Sequence, residues 1–312
     1  MIQQAKPLIF ALATLALVVS GCQVPNIEPF AHATFELRRA VIEGGAVTAE
    51  TMAAVPPMPT DTIPKEAAGQ FVDVWQERVK LMDVLLGYSD ALAGIAAAGT
   101  NAQQTAAALG GSISQLAALV PTTGAAVEAG VQLGQILVQT GIQIQSYRNL
   151  AQAIGAAHPV LTKVAMYLED DLDDLRRLYL NASQTLEGAL DESFGKRESQ
   201  RQWLLAKRDE FRDTMVRTFS DSNAKQVKQI EELLAYMEPD HQQYVQLREV
   251  LLQQRSATLQ MFEQAKQGVH AWVQAHQELL LGIEQNRRPN VLLLLGTAQD
   301  LKEAVDRIQN RT

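Results

Sequence analysis

The chain is short of the residues that build many familiar sites. It has one cysteine in 312 residues, which excludes an internal disulfide. Aromatic residues make up only 5% of it, so any core must be mainly aliphatic. Basic residues are outnumbered, with a net charge of −8. That argues against a nucleic-acid partner, because phosphate binding needs a positive field. It argues equally against electrostatic attraction to anionic lipid. There is no glycine-rich phosphate loop and no Gly-x-Ser-x-Gly elbow. No stretch alternates apolar and polar residues with the period of a strand. Abundant Ala, Leu, Gln and Glu, with few β-branched runs, favour helix over sheet. The expected fold is all-α.

The strongest local signal is amino-terminal. Lys6 is the only charge before residue 28, and the apolar run Pro7 to Val19 follows it. That run is too short to cross a bilayer, which takes about 20 residues. A charge, a short apolar stretch and then small residues is the layout of a secretory signal. The end of the stretch, Val19-Ser20-Gly21-Cys22, resembles the lipobox of bacterial lipoproteins. The resemblance implies that residues 1–21 are a signal peptide and that Cys22 carries lipid as the first mature residue. Several acyl chains on one residue hold a protein firmly at a membrane. By the same resemblance, Gln23 implies sorting to an outer membrane, facing the periplasm.

Residues 23–33 hold Pro25, Asn26 and Pro29 and read as a tether. A short helix is expected from Thr34 to Ile42, stopped by Gly44 and Gly45. Val55-Pro56-Pro57-Met58-Pro59, continuing to Pro64, reads as a linker. The organisation is therefore a signal at 1–21, a lipidated tether and linker at 22–63, and a helical body at 64–312. Phe71, Trp75, Met82, Leu85 and Leu92 space an amphipathic helix over about 65–98, interrupted by Arg78 and Ser89. Gly99-Thr100-Asn101 breaks it, and a second stretch runs to Val120. A third runs from Ala125 to about Ala157, ending before His158-Pro159. Leu161, Ala165, Leu168, Leu172, Leu175, Tyr179, Ala182 and Leu186 then hold a heptad seam. The pattern weakens near a break at Gly195 and resumes with Leu204, Phe211 and Met215. Ser220-Asp221-Ser222-Asn223 reads as a turn, and Pro239-Asp240 as another break. Leu247, Leu251, Thr258, Met261, Ala265, Val269, Trp272, His276 and Leu279 mark a further long helix, ended by Arg288-Pro289-Asn290. A last helix is expected from Val291 to Gln309. Helices this long imply an elongated bundle.

Between Asp90 and Arg148 the only charge is Glu128. Pro121-Thr122-Thr123-Gly124 divides this low-charge section, 91–147, into the halves of a helical hairpin. Gln132, Gln135, Gln139 and Gln143 share one face of its second half. Gly130, Gly134 and Gly141 share a side that would let helix backbones approach closely. The layout resembles that of α-helical pore-forming toxins, whose bundles carry an apolar hairpin that enters membrane. The resemblance implies an alternative, membrane-inserting use of 91–147. The plainer reading is a small-residue pair of helices buried inside the bundle, because each glutamine amide would need a partner in hydrocarbon.

Candidate chemistry is sparse. His32 and His158 sit at expected helix edges, and His270 and His276 fall on different faces of one helix. His276 lies on the apolar seam and reads as a hydrogen-bonded core histidine. Glu238-Pro239-Asp240-His241 has the Glu-x-x-His spacing of di-iron bundles, but those need two copies and two further glutamates. Its proline places it at a helix start, as a cap. The acidic run Glu169, Asp170, Asp171, Asp173 and Asp174 lacks the glycine of a calcium loop and reads as a solvated face, paired with Arg176 and Arg177. No catalytic set, metal site or cofactor is expected. The sequence points to a non-enzymatic envelope lipoprotein that binds protein partners, or itself, through its helices, or braces the envelope as a scaffold.

Overall fold

The computed structural model describes residues 26–53, 62–98, 102–119, 139, 150–218, 221–285 and 287–309. Among these lie six helices and no strand. They are α1 (Glu28–Ala53), α2 (Thr62–Ala98), α3 (Ala102–Leu119), α4 (Leu150–Thr218), α5 (Asp221–Glu284) and α6 (Leu292–Gln309). The fold is all-α, and its two longest helices have 69 and 64 residues. Among the described residues no helix is long and apolar enough to cross a membrane.

The helices divide into two compact units. The first comprises the chain up to Arg39, Glu77–Asp171 and Lys266–Asp300. The second comprises Ala40–Gln76, Leu172–Ala265 and the chain from Leu301. The first unit buries Phe30, Leu37, Leu81, Tyr88, Leu92, Ile113, Leu161, Trp272 and Leu294. The second buries Phe71, Trp75, Tyr179, Met261, Phe262, Leu301 and Val305. The seam residues behave as their spacing requires: Leu161, Leu168, Leu172, Leu175 and Tyr179 are all buried on α4.

α1 corrects the reading of residues 23–45. It is a 26-residue helix that continues through Gly44 and Gly45, which were expected to stop a shorter one. Its start is fixed by Asn26, whose side-chain oxygen accepts from the Glu28 N–H at 3.0 Å. The two glycines serve packing. Trp75 of α2 lies flat on Gly45, where an added Cβ would sit 1.9 Å from the indole nitrogen. That nitrogen donates to the Val41 carbonyl at 3.0 Å. Apolar burial of Phe30, Leu37, Val41 and Val47 on one side outweighs the helix cost of glycine, about 1 kcal/mol each.

Three further expected breaks are absent. Pro159 and Pro239 lie inside α4 and α5, and Gly195 does not interrupt α4. Both prolines are exposed, so the carbonyls they leave unbonded face the wetter side of the helix. Buried Ala157, Val160 and Leu161 hold the chain helical around Pro159. Other boundaries match. α2 ends at Ala98, α4 gives way to α5 between Thr218 and Asp221, and α5 ends at Glu284. At the last of these, the Arg287 N–H bonds the Gly282 carbonyl at 2.9 Å and the chain turns over the glycine. α6 then begins as α1 does, with Asn290 accepting from the Leu292 N–H at 3.1 Å.

Cys22, Gln23, Gly130, Gly134 and Gly141 lie outside the described residues, as does most of the second half of the 91–147 section. Its first half is α3, whose Leu109, Ile113 and Leu116 are buried.

Candidate functional site

The polar residues that interrupt the apolar seams are where the first unit concentrates its chemistry. His276 of α5 is fully buried. Its Nε2 lies 2.8 Å from the Tyr88 hydroxyl of α2. Its Nδ1 lies 3.1 Å from Nδ1 of His158 on α4, and the two rings stack with an interplanar angle of 6°. Trp272, one turn earlier on α5, also stacks on His276 with ring centroids 5.7 Å apart. The Trp272 indole donates to Thr34 Oγ1 at 3.0 Å. Thr34 in turn donates to the Phe30 carbonyl at 2.9 Å, and the Ser89 hydroxyl lies 3.1 Å from it. Helices α1, α2, α4 and α5 thus meet on two hydrogen-bonded sets, Tyr88–His276–His158 and Trp272–Thr34–Ser89, joined by the packing of Trp272 on His276.

Burial sets their protonation. It pushes the Tyr88 hydroxyl well above the usual tyrosine range, so the phenol keeps its proton. It lowers His276 to about 3, with neighbouring His158 adding to the effect. Burial lowers His158 as well. With the phenol protonated and both rings neutral, one proton order satisfies every contact. Tyr88 donates to His276 Nε2, and His276 Nδ1–H donates to His158 Nδ1. The reverse order would leave the Tyr88 proton without an acceptor among the described residues. The expected core histidine is therefore a hydrogen-bonded one, and His158 is its partner inside a helix rather than at an edge.

Arg78 is the second interruption explained. Its Nε donates to Asp171 Oδ2 at 2.5 Å and a terminal nitrogen donates to Oδ1, a fork-to-fork pair with both side chains buried. Asp171 corrects the reading of the acidic run as a wholly solvated face. Asp170 is exposed and Asp174 pairs with Arg177, as expected, but Asp171 points into the core. The signal was present: Asp171 lies three residues after Leu168 and four before Leu175, so it shares their face.

The first unit offers little space for a ligand here. A void of about 10 Å³ is lined by Leu37, Met82, Leu161, Val164, Leu168 and Trp272. It is wholly apolar and at the lower limit for one water. Among the described residues no group of three or more His, Cys, Asp or Glu is placed to hold a metal ion. These polar contacts position the helices: each ties a side chain of one helix to a partner on another.

In the second unit the ion pairs between α4 and α5 are exposed or half-buried. Glu187 sits between Arg248 at 3.2 Å and Arg255 at 2.7 Å. A shallow groove of about 460 Å³ runs along α5 past Tyr244, Arg248, Leu252 and Ser256. His241 pairs with Glu198 of α4 at 2.9 Å, so the Glu238 to His241 segment lies mid-helix and its histidine faces across to α4. It is not at a helix start, as its proline suggested. Comparison with protein families, curated proteins and solved structures finds no match to this chain.

Proposed function

We propose that the protein is a non-enzymatic envelope lipoprotein: a helical scaffold held at a membrane by lipid on Cys22, presenting its helices to protein partners. The observation that carries the reading is Val19-Ser20-Gly21-Cys22 directly after the apolar run Pro7 to Val19. The helical body supports it, because its buried polar groups are used in positioning helices against one another. The charged outer faces of α4 and α5 support it too, with repeated exposed pairs such as Arg197–Asp240 and Arg177–Asp174. Gln23 favours the outer membrane as the destination.

Metabolic labelling with a fatty-acid probe in a bacterial host tests this. The wild-type chain is expected to take up label, and Cys22→Ser to remain an unlabelled precursor. Equal labelling of the two chains would overturn the anchor. With labelling established, Gln23→Asp is expected to move the protein to the inner-membrane fraction.

A further inference from the structure

Within the second unit, the end of α4 and the start of α5 form a two-helix hairpin. Its arms, residues 196–217 and 221–240, run antiparallel. The register is marked by Arg197 to Asp240 at 2.7 Å, Arg201 to Glu238 at 3.1 Å, and Arg212 to Glu231. One apolar seam holds it: Leu204, Ile230 and Leu234 are buried, with Leu205, Phe211 and Met237 packed against them.

That seam leaves large apolar side chains outside. Trp203 is 60% exposed, Leu233 51% and Tyr236 85%. The antiparallel register sets Trp203 level with Tyr236. With 3.6 residues per turn, Leu233 and Tyr236 fall on the Asp240 side of α5, and Trp203 falls on the side of α4 opposite Arg212. They point away from the side marked by Arg212–Glu231. Leu233 lies two turns before Asp240 and Tyr236 one turn before it, so both share its rim.

The arms also differ in charge. Residues 196–217 carry seven Lys and Arg against four Asp and Glu, while 221–240 carry two against five. We infer that this side of the hairpin is covered by a second copy of the same chain. A two-fold axis parallel to the helices lays the basic arm of each copy along the acidic arm of the other. It brings Trp203 against the partner's Tyr236 and turns Leu233 inward, closing two hairpins into a four-helix bundle. A two-fold axis across the helices would instead set basic arm on basic arm. The Arg197–Asp240 and Arg212–Glu231 pairs are exposed and weak, so they yield readily to pairs between copies. The inference stands apart from the lipid anchor, since it rests only on the hairpin.

The test is the association state of the full chain in detergent micelles, by sedimentation. Wild type is expected at twice the chain mass at micromolar concentration. Trp203→Glu combined with Leu233→Glu is expected to weaken self-association about 100-fold, as loss of two buried anchors does. Both sites are exposed in the single chain, so the helical circular dichroism should not change. Mixing a Trp203→Cys chain with a Tyr236→Cys chain under oxidation should give a covalent dimer whose linked peptides contain residues 203 and 236. A monomeric wild type would overturn the inference, as expected if some other protein is the partner. So would a double variant that stays dimeric, or cross-links only between two copies of residue 203.

Discussion

Two arginine–carboxylate pairs in this molecule have nearly the same chemistry and opposite surroundings. In the first unit Arg78 and Asp171 are 7% and 2% exposed. On the hairpin Arg197 and Asp240 are 62% and 43% exposed. The buried pair has shed its water, and the two-pronged contact offsets the cost of burying both charges. The exposed pair keeps its water and loses little when one partner leaves. The same interaction therefore dictates helix arrangement in one region and decorates a surface in the other.

The sharpest way to break the comparison is to remove one partner at each place. Asp171→Asn or Arg78→Met should destabilise the protein by about 3–5 kcal/mol, because the buried charge left behind loses its bidentate partner. The double change Arg78→Met with Asp171→Leu should recover most of that loss. Urea denaturation of the three variants measures this, and single variants with wild-type stability would show the pair to be unimportant.

A smaller effect sharpens the contrast through pH. His276 is held neutral, with its pKa lowered to about 3 from an ordinary 6.5. The unfolded chain therefore takes up a proton first as the solution is acidified. Stability contributed by the neutral ring is complete above pH 6.5 and falls as the pH drops toward 3. The loss should approach about 2 kcal/mol by pH 5, with lowered His158 acting in the same direction. His276→Gln should flatten this dependence. An equally steep slope in that variant would assign the pH response to other groups.

The smallest effect is expected on the hairpin. Arg197→Ala should change stability by less than about 1 kcal/mol, and less still in high salt. A thermal melt showing a loss as large as that of Asp171→Asn would erase the distinction between the two pairs.

Much of the all-α architecture was legible in spacing. The α2, α4 and α5 seams and the breaks near residues 99, 220 and 289 follow from local residue preference and periodicity. What the sequence hid depends on contacts between distant residues. Gly44 and Gly45 look like a helix stop until Trp75 is seen lying on Gly45. Pro159 and Pro239 look like breaks until their exposed faces and buried neighbours are known. Arg78 and Ser89 were visible as interruptions, and His276 as a core position, but their partners lie far away in sequence. His158 and His276 are separated by 118 residues, and no local rule joins them. The resemblance of Val19-Ser20-Gly21-Cys22 to a lipobox is a reading of the sequence.

The placement of the three tryptophans gives each region its own optical reporter. Trp272 is buried in the first unit with its indole bonded to Thr34. Trp75 is buried in the second with its indole bonded to the Val41 carbonyl. Trp203 stands in solvent on the hairpin. Fluorescence from Trp203 should be red-shifted and open to quenching by iodide, while the other two emit to the blue and are shielded. Single-tryptophan chains would therefore show whether the two units and the hairpin lose their structure together or in sequence. A second copy settling on the hairpin would announce itself as a blue shift in Trp203 alone.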